Sequence, residues 1–159
     1  MVRMVFFSFH FDRDAWRVGQ VRNSVITMQK SVFLDKADWE SVKRNGDAAI
    51  ERWIDDQLKG ASVTVVLIGR ETSQRRWVGY ELIQSWAQNK GILGIYIHNC
   101  KDKDSQTDQQ GNLDFNINFK RGSESGTFSQ RFRTYDWLYD NGRNNIETWI
   151  EKAVVEAGR

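Results

Sequence analysis

The chain has 159 residues, 40% of them apolar and 13% aromatic, enough for one compact domain with its own core and unlike a disordered or fibrous chain. The formal charge is +2 with Lys, Arg, Asp and Glu interspersed, so no basic stripe marks a nucleic-acid binder. No stretch approaches the roughly 20 apolar residues of a membrane helix, and the single Cys100 cannot build a disulfide framework, so the expectation is a cytoplasmic protein.

Met4 to Phe9 is a short apolar run broken by Ser8, His10 and Asp12, which predicts a buried first strand rather than a signal peptide. Asp12 to Asn23 carries Ala15, Trp16, Val18 and Val21 and reads as a short helix. Two β-rich pieces follow, Val25 to Met28 and Val32 to Leu34, the second being the better strand. Asp35 to Gly46 reads as a charged loop closed by Asn45-Gly46. Asp47 is placed to cap the next helix, in which Ile50, Trp53, Ile54 and Leu58 recur at helical spacing up to a stop at Gly60.

Ser62 to Ile68 is a nearly continuous β-branched run, the pattern of a strand buried on both faces. A helix from about Ser73 to Asn89 and a strand from Gly91 to Ile97 complete a strand–helix alternation. Cys100 to Asn112 reads as a polar loop. Leu113, Phe115, Ile117 and Phe119 then alternate with Asp and Asn, which predicts a half-exposed strand or hairpin arm. Phe128 to Tyr139 fits either helix or strand. Asn144 with Glu147 predicts a capped start to a last helix, whose apolar stripe is Ile146, Trp149, Ile150, Ala153 and Val154. The pattern is that of an α/β fold with a doubly wound, mainly parallel sheet and helices on both faces. One domain spans 1–159: a core over 4–98, an insertion over 99–140 and a C-terminal helix over 143–157.

Ligands of open α/β sheets collect beyond the carboxyl ends of the strands, here Ser8-Phe9-His10, Asp35, Gly69-Arg70 and Asn99. On the helix near those ends, Val78, Gly79, Leu82 and Trp86 form the face expected on the sheet, with Trp77 and Glu81 on an adjacent stripe at its edge. A carboxylate so placed can accept hydrogen bonds from ribose hydroxyls and stabilise positive charge on a sugar ring, as cleavage of an N-glycosidic bond demands. The same spacing equally allows a surface Glu81 paired with Arg75 or Arg76. Ser8, Phe9 and His10 could supply a hydroxyl donor, a stacking ring and a phosphate or ribose contact, or simply end a packed strand. No phosphate-loop or dinucleotide-binding glycine pattern is present, and His10, His98 and Cys100 lack metal-ligand spacing, so no metal and no resident cofactor are expected.

Taken in order, these pieces resemble one family. Val5-Phe6-Phe7-Ser8-Phe9-His10 resembles the first strand of a TIR domain. Val32-Phe33-Leu34-Asp35 with the charged loop and following helix resembles its second strand, BB loop and second helix. Ser62 to Gly69 resembles the third strand, and Trp77-Val78-Gly79-Tyr80-Glu81-Leu82 the W-x-x-x-E-[LI] signature. Phe6 to His10, Val21-Arg22-Asn23, Arg75-Arg76-Trp77-Val78 and Tyr135-Asp136-Trp137 are most similar to the bacterial TIR-like family that includes the sensor of Thoeris anti-phage defence.

The resemblance implies the flavodoxin-like TIR fold and an NAD-consuming enzyme that makes a cyclic ADP-ribose-type messenger. Glu81 would be the catalytic glutamate, and Trp77, Ser8, Phe9, His10 and Asp35 would line the substrate pocket. Asn99 and Asn112 would serve its adenine side. It further implies self-association, a downstream effector reached through the messenger, and a phage protein as trigger. His10 departs from the arginine many TIR enzymes carry there. The other reading of the resemblance is a non-catalytic adaptor that self-associates through the loop from Asp35 to Gly46.

Overall fold

The computed structural model describes residues 3–25, 31–32 and 36–158. Its strands, in chain order, are β1 (Val5–Ser8), β2 (Ser31–Val32), β3 (Val63–Ile68), β4 (Gly91–Tyr96), a small hairpin of β5 (Phe119–Arg121) and β6 (Glu124–Gly126), and β7 (Thr134–Asp136). The helices are α1 (Phe11–Val25), α2 (Lys36–Arg44), α3 (Asp47–Lys59), α4 (Arg76–Ala87), α5 (Phe128–Arg131) and α6 (Gly142–Glu156). Five strands form one parallel sheet in the order β2-β1-β3-β4-β7. The chain leaves β1 toward one edge and returns at β3 on the other side, so the switch point of the winding lies between β1 and β3.

Side chains of a strand alternate between the two faces of its sheet, and the core divides accordingly. Val5 and Phe7 of β1, with Val63, Val65 and Leu67 of β3, pack against Val18 and Val21 of α1 and Ile146 and Ile150 of α6. On the opposite face, Val66 and Ile68 meet Val78 and Leu82 of α4, while Phe6 meets Ile50, Ile54 and Leu58 of α3. Ile54 and Leu58 are fully buried, each worth about 1.5–3 kcal/mol of apolar burial. Among the described residues, no helix is long and apolar enough to cross a membrane.

Several sequence expectations change. The segment expected as a loop from Asp35 to Gly46 contains α2, for which Trp39 and Val42 supply the packing against α3. Two apolar positions among many charges give a weak periodic signal, and tertiary contact decides the matter. The strand expected at Val32 to Leu34 is described only as Ser31–Val32, and the rest of it, with Asp35, lies outside the described residues. Residues 26–28 of the other β-rich piece also lie outside them. Helix α3 takes Gly46 as its N-cap rather than Asp47, which instead opens the helix and pairs with Arg76.

Residues 113 to 118 alternate in burial without pairing as a strand. The side chains of Asn112 and Asp114 accept the backbone N–H groups of Asp114 and Asn116, at 2.7 and 2.9 Å, and hold them in local turns. The ambiguous Phe128 to Tyr139 resolves into α5 and β7, so the stretch after Asn99 supplies the fifth strand of the main sheet. Helix α6 begins at Gly142, behind Asn141 in the left-handed region at φ 53°, not at Asn144. A Cβ on Gly142 would lie 2.1 Å from the Trp137 ring, which leaves room only for glycine.

The loop after β4 is clasped to α1. Arg17 donates from Nε to the carbonyl of Cys100 at 2.8 Å and from Nη2 to that of Gln106 at 2.9 Å. Arg13 pairs with Asp108 at 2.6 Å and with Glu71 at 2.7 Å. This loop crosses the carboxyl end of β3 so closely that a Cβ on Gly111 would lie 2.0 Å from the Gly69 carbonyl oxygen.

Candidate active site

Strand parity positions the first candidate side chain. Because Phe7 faces α1 and α6, Phe6 and Ser8 face α3 and α4. Ser8 is completely buried at the carboxyl end of β1, where a hydroxyl must find a partner. It donates its hydrogen bond to Oε2 of Glu81, and the two meet at the switch point of the sheet.

Helical spacing alone places Glu81 at the rim of the packed face of α4. The structure puts it within that face: the buried stripe is Val78, Glu81, Leu82 and Ser85. Trp86 turns away toward the rings of Phe119 and Phe132, supplied by the segment after β4. An apolar pattern ranks Trp86 above Glu81 and Ser85 for burial; the aromatic layer and the polar partners reverse that ranking. Ser85 Oγ donates to the backbone carbonyl of Glu81 at 2.6 Å and sits 2.7 Å from Thr64 Oγ1 of β3. The carboxyl-bearing turn of α4 is thus stitched to two strands by buried hydroxyls.

Burial dominates the electrostatics. Glu81 is only 8% exposed, and loss of water pushes its pKa up to about 8, against which the Ser8 hydrogen bond pulls down. Neither neighbouring arginine pairs with it. Arg76 is 2.8 Å from Asp47 and lies over the Trp77 ring, 4.5 Å from its centroid.

Glu81 lines a cleft of about 570 Å³, counted to its open mouth, within the span typical of small-molecule sites. Its walls are mainly rings: Phe9 and Phe11 from the end of β1 and start of α1, Trp39 of α2, Trp53 of α3 and Trp77 of α4. Phe11 bridges two of them, 5.8 Å from Phe9 and 6.4 Å from Trp39 between centroids. The indole Nε1 of Trp39 is buried with no hydrogen-bond partner among the described residues. Arg75 and Asp12 complete the polar part of the lining.

The sequence candidates divide. Phe9, Trp77 and Glu81 line this cleft, and Ser8, buried behind its wall, holds Glu81. His10 is beside it but not in its wall; its Nδ1 is buried without a partner among the described residues, and burial, then the charge of Arg75, lowers its pKa. Asn99 is hydrogen-bonded to Asp136 at 2.7 Å across the ends of β4 and β7, and Asn112 is exposed in its turn; neither lines the cleft. Asp35 lies outside the described residues. Sequence reading missed Phe11, Trp39, Trp53 and Arg75 as wall residues. The high aromatic content was the available signal, and it carried no positions.

A five-stranded parallel sheet of this order, with helices on both faces, is a flavodoxin-like fold, and its buried acidic side chain stands at the switch point where such folds bind ligands. A model of the family described as Thoeris protein ThsB, TIR-like domain, matches residues 6–102. The chain is also 30% identical, over an alignment of 191 residues, to a protein of Bacillus cereus (strain MSX-D12) named "Putative cyclic ADP-D-ribose synthase ThsB1". The alignment covers 94% of this chain and 100% of that relative. The chain belongs to the ThsB TIR-like family. The matched span contains Ser8, Phe9, His10, Trp77, Glu81 and Asn99, and ends before Asn112.

Proposed function

We propose that this protein is an NAD-consuming enzyme that breaks the bond between nicotinamide and ribose and closes the remainder into a cyclic ADP-ribose-type signal for anti-phage defence. The observation that carries the reading is the buried Glu81 carboxyl, fixed by Ser8 in the wall of an aromatic cleft at the sheet's switch point. Burying an ionisable group without a cation costs stability. An adaptor that works only by self-association gains nothing from that cost. The name of the Bacillus cereus relative supports the cyclic product.

In the reaction the C1′–N1 bond breaks and its electron pair leaves with nicotinamide, which departs as a neutral base. No strong general acid is needed. The ribosyl C1′ becomes cation-like, and ionised Glu81 stabilises that charge while accepting a hydrogen bond from a ribose hydroxyl. A nitrogen or hydroxyl of the adenosine half then forms the new bond to C1′, and a hydroxyl nucleophile releases its proton. Phe9, Phe11 and Trp77 supply surfaces on which the substrate's rings stack, and their apolar bulk disfavours water as the competing nucleophile.

The test is mass spectrometry of NAD incubated with the protein over a concentration series, with and without extract of phage-infected cells. The reading expects free nicotinamide and a product one water lighter than linear ADP-ribose. Self-association without release of nicotinamide in any condition would replace it with the adaptor.

A further inference from the structure

We infer that Arg75 forms a diphosphate-binding subsite of the Glu81 cleft, so that the protein selects a dinucleotide over a nucleoside. The inference rests on the proposed NAD reaction. A substrate with a nicotinamide ribosyl group at Glu81 brings a diphosphate with two negative charges, and those charges need a cation once they leave water. Among the described residues lining the cleft, Arg75 is the one cation. The other charged wall residues, Asp12 and Glu81, are acids.

Among the described residues, nothing commits the Arg75 guanidinium. Its neighbour Arg76 is held by Asp47 and the Trp77 ring. Arg13 and Arg17 are held by Asp14, Asp102, Asp108 and Glu71. Arg75 makes no side-chain hydrogen bond or ion pair among the described residues, and it is exposed at the start of α4, two residues before Trp77. The position before the Trp77 turn sets its side chain at the cleft while Glu81 occupies the next turn of the same helix. His10, the residue at which phosphate contact was expected, is absent from the wall and has its pKa lowered, so it carries little positive charge at neutral pH. A guanidinium is always charged and presents a fork that fits two phosphate oxygens.

The experiment compares steady-state kinetics on NAD and on nicotinamide riboside, which keeps the scissile bond and lacks phosphate. Arg75→Ala should raise KM for NAD roughly 10- to 100-fold, the loss expected for a charge-assisted hydrogen-bonded contact, with kcat and the riboside KM changed by less than about threefold. Arg75→Lys should recover part of the NAD effect. Arg70→Ala, the same loss of charge near the same sheet edge but outside the cleft wall, should leave the NAD KM within about twofold. An unchanged NAD KM in Arg75→Ala, an equal rise for both substrates, or an equal effect of Arg70→Ala would overturn the subsite. If the wild type releases no nicotinamide from either substrate, the catalytic reading fails. Calorimetric titration with ADP-ribose then decides the subsite: weaker binding to Arg75→Ala alone upholds it, and equal or absent binding in wild type and variant refutes it.

Discussion

Ser8 and Glu81, 73 positions apart in the chain, share one buried hydrogen bond at the point where the sheet's winding reverses. It joins the last residue of β1 to the middle of α4 and leaves the Ser8 hydroxyl committed to the carboxyl rather than to substrate. In the proposed reaction Ser8 is therefore a positioning residue. In Ser8→Ala the donor that lowers the Glu81 pKa is gone, so the pH midpoint of kcat/KM should move upward. At pH 7 kcat/KM should fall about tenfold or more. A variant with an unshifted midpoint would contradict the role.

The wild-type pH profile follows from the same burial. With Glu81 near 8 in the free protein, kcat/KM for NAD should rise about tenfold per pH unit below that value and level off above it. The pyridinium of bound NAD favours the ionised carboxylate, so the midpoint in kcat should lie lower than that in kcat/KM. Coincident midpoints, or a rate falling as pH rises toward 8, would argue against an ionised Glu81 in the reaction.

Stability should carry the opposite mark. The folded-state pKa of Glu81 stands near 8 against an ordinary 4.5, so between those values the native state holds a proton that the unfolded chain has released. Its stability is therefore lost as pH rises from 4.5 through 8. Glu81→Gln has no such proton. It should be more stable than the wild type by a few kcal/mol at pH 8.5 and near parity at pH 4.5, as read by chemical denaturation at the two pH values. A variant less stable at pH 8.5 would refute the burial argument.

The indole N–H of Trp39, unpaired among the described residues, offers a substitution that separates folding from binding. Trp39→Phe keeps a ring in the wall and deletes that donor. Thermal stability should change by less than about 1 kcal/mol, while KM for NAD rises severalfold if the donor meets the substrate. A large loss of stability with no change in KM would assign Trp39 to the core alone.

Arg17 is buried and closes the clasp over the sheet's carboxyl edge through the Cys100 and Gln106 carbonyls and the Asp108 carboxylate. Arg17→Met should cost about 3–5 kcal/mol by leaving the buried Cys100 carbonyl without its donor and buried Asp14 without the Arg17 charge. Arg17→Lys, which lacks the planar fork, should restore little of it. Denaturant midpoints of the two variants test this directly.

The parts of the fold that could be read from sequence are those whose burial is continuous. Val63 to Ile68 and Gly91 to Tyr96 lie under helices on both faces and announce themselves by unbroken apolar runs. Helix α2 was hidden because its packing rests on Trp39 and Val42 amid charges. The Glu81 phrase and Ser8-Phe9 at the end of β1 were legible as neighbours, while His10 and Asn99, read with them, stand outside the cleft wall. The burial of Glu81 was not, since a helical pattern assigns polar residues to the surface and cannot see that Ser8, Ser85 and Thr64 are waiting on the strands and the same helix. The cleft wall was equally hidden, because its rings come from four helices and the end of a strand, and only the folded sheet edge collects them.

If Glu81 acts on the glycosidic bond of NAD, nicotinamide release must differ between wild type and Glu81→Gln. The substitution is nearly isosteric and keeps an acceptor for Ser8, so the fold and cleft persist while the negative charge is lost. The wild type should release nicotinamide, and the rate should fall at least about 100-fold in the variant, with the variant folded as judged by its thermal transition. Release by Glu81→Gln within a fewfold of the wild-type rate would contradict it.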